Sequence, residues 1–165
     1  MGEVDDELRR RLTAAYPSLR RFAAVVGPAD VEPDDLVQDA FVAVLRRGLD
    51  GVDDLDAYLR RTVLNLSSNA KRRWLRGQAA QRRQDRVASE VPPTFVDVAD
   101  LLRLPPDVRA VLWLAEVEGW THAEIGRLLG CTEEAARARA SRGRRRRTRP
   151  IQAAVAAAWS GRMRA

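Results

Sequence analysis

The chain holds a single cysteine, Cys131, and a single histidine, His122, in 165 residues. One thiol excludes an internal disulfide and cannot build a metal cluster by itself. One imidazole gives no basis for a zinc site, nor for a Ser-His or Cys-His catalytic pair. Aromatic residues make up only 5%, so few rings are on offer for stacking against bases. No run of about 18 or more apolar residues occurs, and no membrane insertion is expected. The opening "MGEVDDELRRRL" lacks the apolar stretch of a secretory signal, which leaves a cytoplasmic protein as the expectation. Convincing strand alternation is missing, and lysine nearly so: 28 of the 29 basic residues are arginine.

What is present is helical periodicity. Leu8, Leu12, Ala15, Leu19, Phe22, Ala23 and Val26 recur at three- and four-residue steps and define one apolar face. "GPADVEP" stops that helix. A second opens near Pro33, with Asp34 and Asp35 in its first turn and Leu36, Val37, Ala40, Phe41, Val44 and Leu45 as its buried face. A third runs from about Leu55 to Arg76, buried through Leu55, Leu59, Leu66 and Ala70, with Val63 and Trp74 as further candidates. The pattern then lapses into a linker that could begin as helix, and a new block starts at "LPPDVRAVLWLAEVEGW", with Val108, Val111, Leu112 and Ala115 as a core face. The fold class expected is all-α: two small helical modules joined by a flexible linker. The boundaries are 1–76, a linker at 77–97, a second module at 98–149, and an extension at 150–165 that either packs on it or binds a partner, packing being the plainer expectation.

Charge is distributed unevenly. The first 56 residues carry 13 acidic and 7 basic side chains, whereas 137–149 holds eight arginines and no acid. The C-terminal part therefore suits a polyanion. Within it, "EGWTHAEIGRLLGCTEEAARARASRGRR" is the most specific pattern. Thr121 followed by Glu124 makes a capping box. Gly130 ends a short helix in the left-handed conformation, and Thr132 caps the next. Helix, Gly-containing turn and helix form a helix-turn-helix. Its second helix turns Ala136 and Ala140 inward and presents Arg137, Arg139, Ser141 and Arg142 outward, to phosphates or to guanine edges. A solvated helical hairpin is the plainer reading. Cys131 is expected to pack in the turn, and His122 to lie at the surface.

On the third helix Arg61, Asn65, Ser68 and Arg72 share a face, flanked by Asn69, Arg73 and Arg76. That basic, amide-rich face suits a nucleic-acid strand, and Tyr58 is the ring placed to stack on an unpaired base. Asp34, Asp35 and Asp39 raise a different possibility, because Asp35 and Asp39 lie one turn apart and could share Mg²⁺ in an all-helical enzyme. Such an enzyme needs a large bundle and a second acidic cluster, so capping charge plus a protein-docking surface is the better account. No cofactor, metal or catalytic residue is expected.

These residues resemble the extracytoplasmic-function sigma factors of bacterial RNA polymerase. "DDLVQDAFVAVLRR" is similar to the region 2 helix that docks on the coiled coil of the β′ subunit, which implies that Asp35, Gln38 and Asp39 face β′. "YLRRTVLNLSSNAKRRWLR" resembles the helix that opens and reads the −10 element, with Asn65 at the family's recurrent asparagine. The stretch from "LPPDVRAVLWLAEVEGW" to "ASRGR" looks like region 4, the reader of the −35 element. Its "LPP", "EG" and "EIGRLLG" pieces carry the likeness. The resemblance implies Tyr58, Arg61, Asn65, Ser68, Asn69, Arg72 and Arg73 at the −10 strand. It implies Thr132, Glu133, Arg137, Arg139, Ser141 and Arg142 at the −35 duplex. The implied partners are the β′ and β subunits of core polymerase, promoter DNA and an inhibitory anti-sigma factor. The family's recognition helix usually begins Gly-Thr-Val and later has a leucine. Here Glu134, Ala135, Ala136 and Ala140 hold those places, and the lost side-chain volume should loosen or re-space that helix. The expected function is that of a non-catalytic sigma factor. The alternative is a stand-alone helix-turn-helix regulator that binds duplex DNA without polymerase.

Overall fold

A computed structural model describes residues 2–28, 30–48, 51–81 and 103–146, with side chains from Asp6 to Asn69 and from Arg103 to Arg146 within those spans. Every regular element among the described residues is an α-helix. Three form the first module: α1 (Gly2–Val26), α2 (Pro33–Arg47) and α3 (Leu55–Gln81). The predicted face of α1 is the buried one, with Leu12, Leu19, Phe22, Ala23 and Val26 in the core and Leu8 and Ala15 packed against it. Pro33 occupies the first turn of α2, where its missing N–H costs no hydrogen bond, and Arg46 and Arg47 sit at the opposite, electronegative end. Leu36, Val37, Ala40 and Val44 are buried, and Phe41 is half-buried.

Leu45 departs from expectation, being 60% exposed. At 100° per residue it lies about 125° from the centre of the buried stripe, too far round to reach α1 or α3. The third helix also differs. Asp54 caps its start by accepting the Ala57 N–H at 3.0 Å. It then runs past Arg76 and Gly77 to Gln81, because "QAAQ" favours helix and a lone glycine costs only about 1 kcal/mol. Leu55, Leu59, Val63 and Leu64 are buried on it, and Leu66 is half-buried. The expected contacts of Ala70 and Trp74 lie outside the described side chains, as do the remainder of the linker and the extension at 150–165.

The first acidic residue of α2 is structural. Tyr16 Oη donates to Asp34 Oδ1 at 2.6 Å, and Arg20 Nε donates to the same oxygen at 2.7 Å, tying α1 to α2. Arg20, and after it Tyr16, hold the Asp34 carboxyl below its ordinary range. A carboxylate depressed in the folded state stabilises it above the unfolded value, and that gain is lost as pH falls through the folded value. Asp34→Asn is therefore expected to lower stability near neutrality by about 1 kcal/mol or less, as befits a half-exposed cluster. Thermal melts of the variant and the parent should begin to approach each other below pH ~4 and converge only once the pH has fallen past the depressed folded-state value.

The second module contains α4 (Pro106–Glu116), α5 (His122–Leu129) and α6 (Glu133–Arg145). The capping box is complete: Thr121 Oγ1 accepts from Glu124 N at 3.2 Å, and Glu124 Oε2 accepts from Thr121 N at 2.8 Å. The Thr121 hydroxyl, then its backbone N–H, draw the Glu124 carboxyl below its usual range. Thr121→Ala is expected to cost about 1 kcal/mol in thermal or chemical unfolding. Gly130 closes α5 at φ 66°, ψ 39°, the left-handed conformation that the sequence predicts. Thr132 Oγ1 then accepts from Ala135 N at 3.2 Å to start α6. Ala136, Ala140 and Gly143 form a small-residue stripe that is wholly buried. A Cβ on Gly143 would lie 2.8 Å from both Leu112 Cδ1 and Val108 Cγ1. The alanines and Gly143 thus let α6 lie close against α4.

One feature joins the two modules. On α4, five consecutive residues, Ala110 to Leu114, are buried together with Arg109. A helix buried all round has neighbours on every side. Here α5 and α6 cover one side and α1 and α3 the other.

Candidate nucleic-acid and polymerase interfaces

Asp35, Gln38 and Asp39 all lie exposed on α2, where the docking reading needs them. With Asp34 turned inward onto Tyr16 and Arg20, the three aspartates do not converge. Among the described residues no group of three or more His, Cys, Asp or Glu side chains could hold a metal ion. Val42 is 42% exposed and, with Leu45, adds an apolar patch to this helix. Both are large hydrophobic side chains left on the outside, a signal that a single-face reading of the periodicity passes over.

On α3, Arg61, Asn65 and Asn69 are exposed and Ser68 is half-buried, so the basic, amide-rich face exists as a surface. Arg72 and Arg73 continue the same helix, and their side chains lie outside those described. Tyr58 is half-buried, with the Arg47 guanidinium 5.5 Å from its ring centroid and Arg47 Nη1 donating to its hydroxyl at 3.4 Å. One face of this ring is therefore already engaged by a cation. Tyr58 and Arg61 line a cleft of about 630 Å³ whose opposite wall is Glu118, Trp120, Arg127 and Leu128.

Helix α6 is less uniform than its sequence suggests. Arg137 projects outward and pairs with Glu133 at 2.6 Å, with 62% of its side chain exposed. Exposed pairs of this kind contribute little, so either partner is readily exchanged for another ligand. Arg142 is exposed, and Ser141 is half-buried. Arg139 turns inward: its Nε lies 3.5 Å from Asp107 Oδ2 and its Nη1 donates to Cys131 Sγ at 3.2 Å. The outward position expected for it is not where the guanidinium sits, because the acidic first turn of α4 draws it in. Thr132 spends its hydroxyl on the cap. Cys131 packs in the turn as expected. His122 is half-buried, with Nε2 shielded and without a hydrogen-bond partner.

Sequence reasoning missed the groups that bridge the modules: Arg60, Arg109 and Trp120. Glu118 stood within the "EG" piece, without a role. A charged residue inside the apolar run "VRAVLWLA" was the available signal for Arg109.

No helix among the described residues is long and apolar enough to cross a membrane. Two family models match the chain, in order: Sigma-70 region 2 over residues 12–79 and Sigma-70 region 4 over residues 101–146. The RNA polymerase sigma factor CarQ of Myxococcus xanthus is 30% identical over 139 residues, covering 77% of this chain and 79% of CarQ. The ECF RNA polymerase sigma factor EcfG of Rhodopseudomonas palustris is 30% identical over 155 residues, covering 86% of this chain and 83% of EcfG. Among solved structures, the sigma factor RpoE in complex with the anti-sigma factor NepR, from Bartonella quintana, superposes with a TM-score of 0.69 at 21% identity. The match covers 85% of this chain and 93% of that one. CnrH in complex with the cytosolic domain of CnrY gives a TM-score of 0.58 at 24% identity, covering 86% and 85%.

Proposed function

The chain belongs to the extracytoplasmic-function sigma factors of the sigma-70 family, and from that membership we propose how its residues divide the work of directing core RNA polymerase to promoters. The observation that carries the assignment is the pair of family modules, region 2 and then region 4, in one chain whose second module is a capped helix-turn-helix. Sigma factors are non-enzymatic initiation factors: polymerase supplies the chemistry, and this subunit supplies the address. Its place of work is the cytoplasm, with polymerase and DNA.

In this reading the exposed acidic face of α2, with Asp35, Gln38 and Asp39, docks on the β′ subunit. Arg61, Asn65, Ser68, Asn69, Arg72 and Arg73 on α3 hold the unpaired −10 strand, and Tyr58 stacks on a base. On α6, Arg137, Arg142 and Ser141 reach the −35 duplex, while Thr132 and Glu133 at its start position the helix in the groove. Arg139 supports the helix from behind through Asp107. The residues at 77–97 connect the modules along polymerase, and an anti-sigma factor holds the chain in reserve.

The deciding experiment mixes the purified chain with core polymerase and assays specific transcription from genomic fragments. Discrete initiation sites that need the chain are expected; a folded chain that forms no complex with core would sink the reading. The −35 assignment has its own test. Arg137→Ala with Arg142→Ala should weaken duplex binding and flatten its logarithmic salt dependence by roughly 2, about one unit for each phosphate that is no longer neutralised. Arg139→Ala should leave that slope unchanged and lower stability instead.

A further inference from the structure

On α6 the buried stripe of Ala136, Ala140 and Gly143 fixes which residues lie furthest from the body of the module. At 100° per residue, Glu134, Ala138 and Arg145 fall within about 30° of the line directly opposite that stripe. All three are exposed. Arg137 lies about 90° to one side of the line and Arg142 about 50° to the other. The Arg137 guanidinium is drawn sideways onto Glu133 at 2.6 Å. Arg142 lines, with Arg139 and Arg146, a cavity of about 260 Å³ against Pro105 and Asp107 at the start of α4. Arginines therefore stand along both edges of the helix. Between them, in its N-terminal half, the outermost groups are the carboxylate of Glu134 and the methyl group of Ala138.

A helix seated in the major groove turns its N-terminal residues to the base edges and its flanks to the phosphate walls. Arginines on both edges of α6 suit the two walls. A carboxylate between them is unfavourable toward phosphate, although the positive end of the helix lessens that cost. It is favourable at one feature of the groove floor, the exocyclic amino group of cytosine, from which a carboxylate accepts a hydrogen bond. Adenine also offers an amino group, but beside its N7 acceptor, which repels a carboxylate. Glu133 is not equivalent to Glu134, because it already accepts from Arg137. Ala138 follows Glu134 by one turn, about 6 Å along the axis, or about two base steps at 3.4 Å each. Its methyl group suits the 5-methyl of thymine, and its small size lets the backbone approach the base edges.

We propose that Glu134 is a specificity-determining residue of α6 that reads a cytosine in the duplex, with Ala138 reading a thymine about two steps away. The inference rests on the sigma-factor reading for the identity of that duplex as the −35 element, but base preference can be measured with and without polymerase. Duplexes are selected from a library randomised across the site, by the full chain alone and by the chain with core polymerase, and then sequenced. The parent should favour cytosine over the other bases at one position by roughly tenfold. Glu134→Gln should move that preference to adenine, whose N6 and N7 a carboxamide pairs together. Glu134→Ala should erase it and leave the other positions as they were. Thr132, not Glu134, caps the helix, so both variants keep α6. Uracil in place of the thymine should weaken parent binding about fourfold, as befits one buried methyl group. A carboxylate that only complements the helix dipole gives a different result: both substitutions then raise affinity for every duplex by one factor, with no change of preference. That result, or a parent that selects no sequence in either arm, overturns the inference. Unchanged affinity for the uracil duplex overturns the Ala138 contact. The expected preferences from the chain alone, without any complex with core polymerase, would instead overturn the sigma-factor reading.

Discussion

Asp35→Lys combined with Asp39→Lys is expected to weaken binding to core polymerase by at least two orders of magnitude while the chain stays folded. Both residues are exposed on α2, and the core of that helix, Leu36, Val37, Ala40 and Val44, lies on the other side. Asp35 does sit in the first turn, where a negative charge is favoured, so the reversal costs the helix about 0.3–1 kcal/mol. The loss at a charge-complementary interface is larger, because close interfacial pairs carry coupling energies of about 1.5–7 kcal/mol each. A fluorescence titration of labelled chain with core polymerase measures the effect, and the melting temperature separates it from unfolding. Asp34→Asn is the matched control: it loosens the tie to Tyr16 and Arg20 and should leave core affinity nearly unchanged. Equal affinity of the double reversal and the parent would remove α2 from the docking surface.

The local signals in the sequence were dependable where one short-range cause determines the structure. The capping box, the left-handed Gly130 and the Thr132 cap each follow from the chemistry of two or three neighbouring residues. All appear in the structure with the expected partners. The inward face of α6 was legible for the same reason, since Ala136 and Ala140 are four residues apart and Gly143 continues their stripe. Errors arise where a distant residue competes. Arg139 has the spacing of an outward side chain, yet Asp107, 32 positions earlier, draws it back. Leu45 is apolar and stays outside, because α1 and α3 meet only one side of α2.

The packing of the modules on each other was the least legible feature, although its trace is in the chain. A one-faced amphipathic helix has no use for "AVLWL" as five consecutive buried residues. A helix between two layers needs such a run. Period-based reading selects the best single face and discards the remainder, so it described two modules and left their contact out. Arg60 was hidden for a related reason. Its neighbour Arg61 is exposed, and only the position of Glu118, 58 residues on, makes Arg60 a buried one.

Gly126 marks the point where the helix-turn-helix has no room to give, and Gly126→Val is expected to cost about 3 kcal/mol or more. A Cβ there would lie 2.7 Å from Cys131 O and 3.3 Å from both C and O of Thr132. These are backbone atoms, fixed by the turn, so they cannot step aside as the end of a side chain can. The Cys131 N–H donates to Gly126 O at 2.9 Å, so the same turn that crowds this position is anchored to it. The larger side chain must therefore push the start of α6 away from α5, breaking that hydrogen bond and lifting Ala136 and Ala140 off α4. Gly126→Ala already places the clashing Cβ and should cost about 2 kcal/mol. Arg137 and Arg142 ride on α6, so duplex binding should fall along with stability. Asp35 and Asp39 belong to the first module, and the contact with polymerase proposed for them should persist. Differential scanning calorimetry together with separate titrations against duplex DNA and core polymerase tests all three parts. A Gly126→Val chain that melts like the parent would show that α5 and α6 do not meet as closely as these distances require.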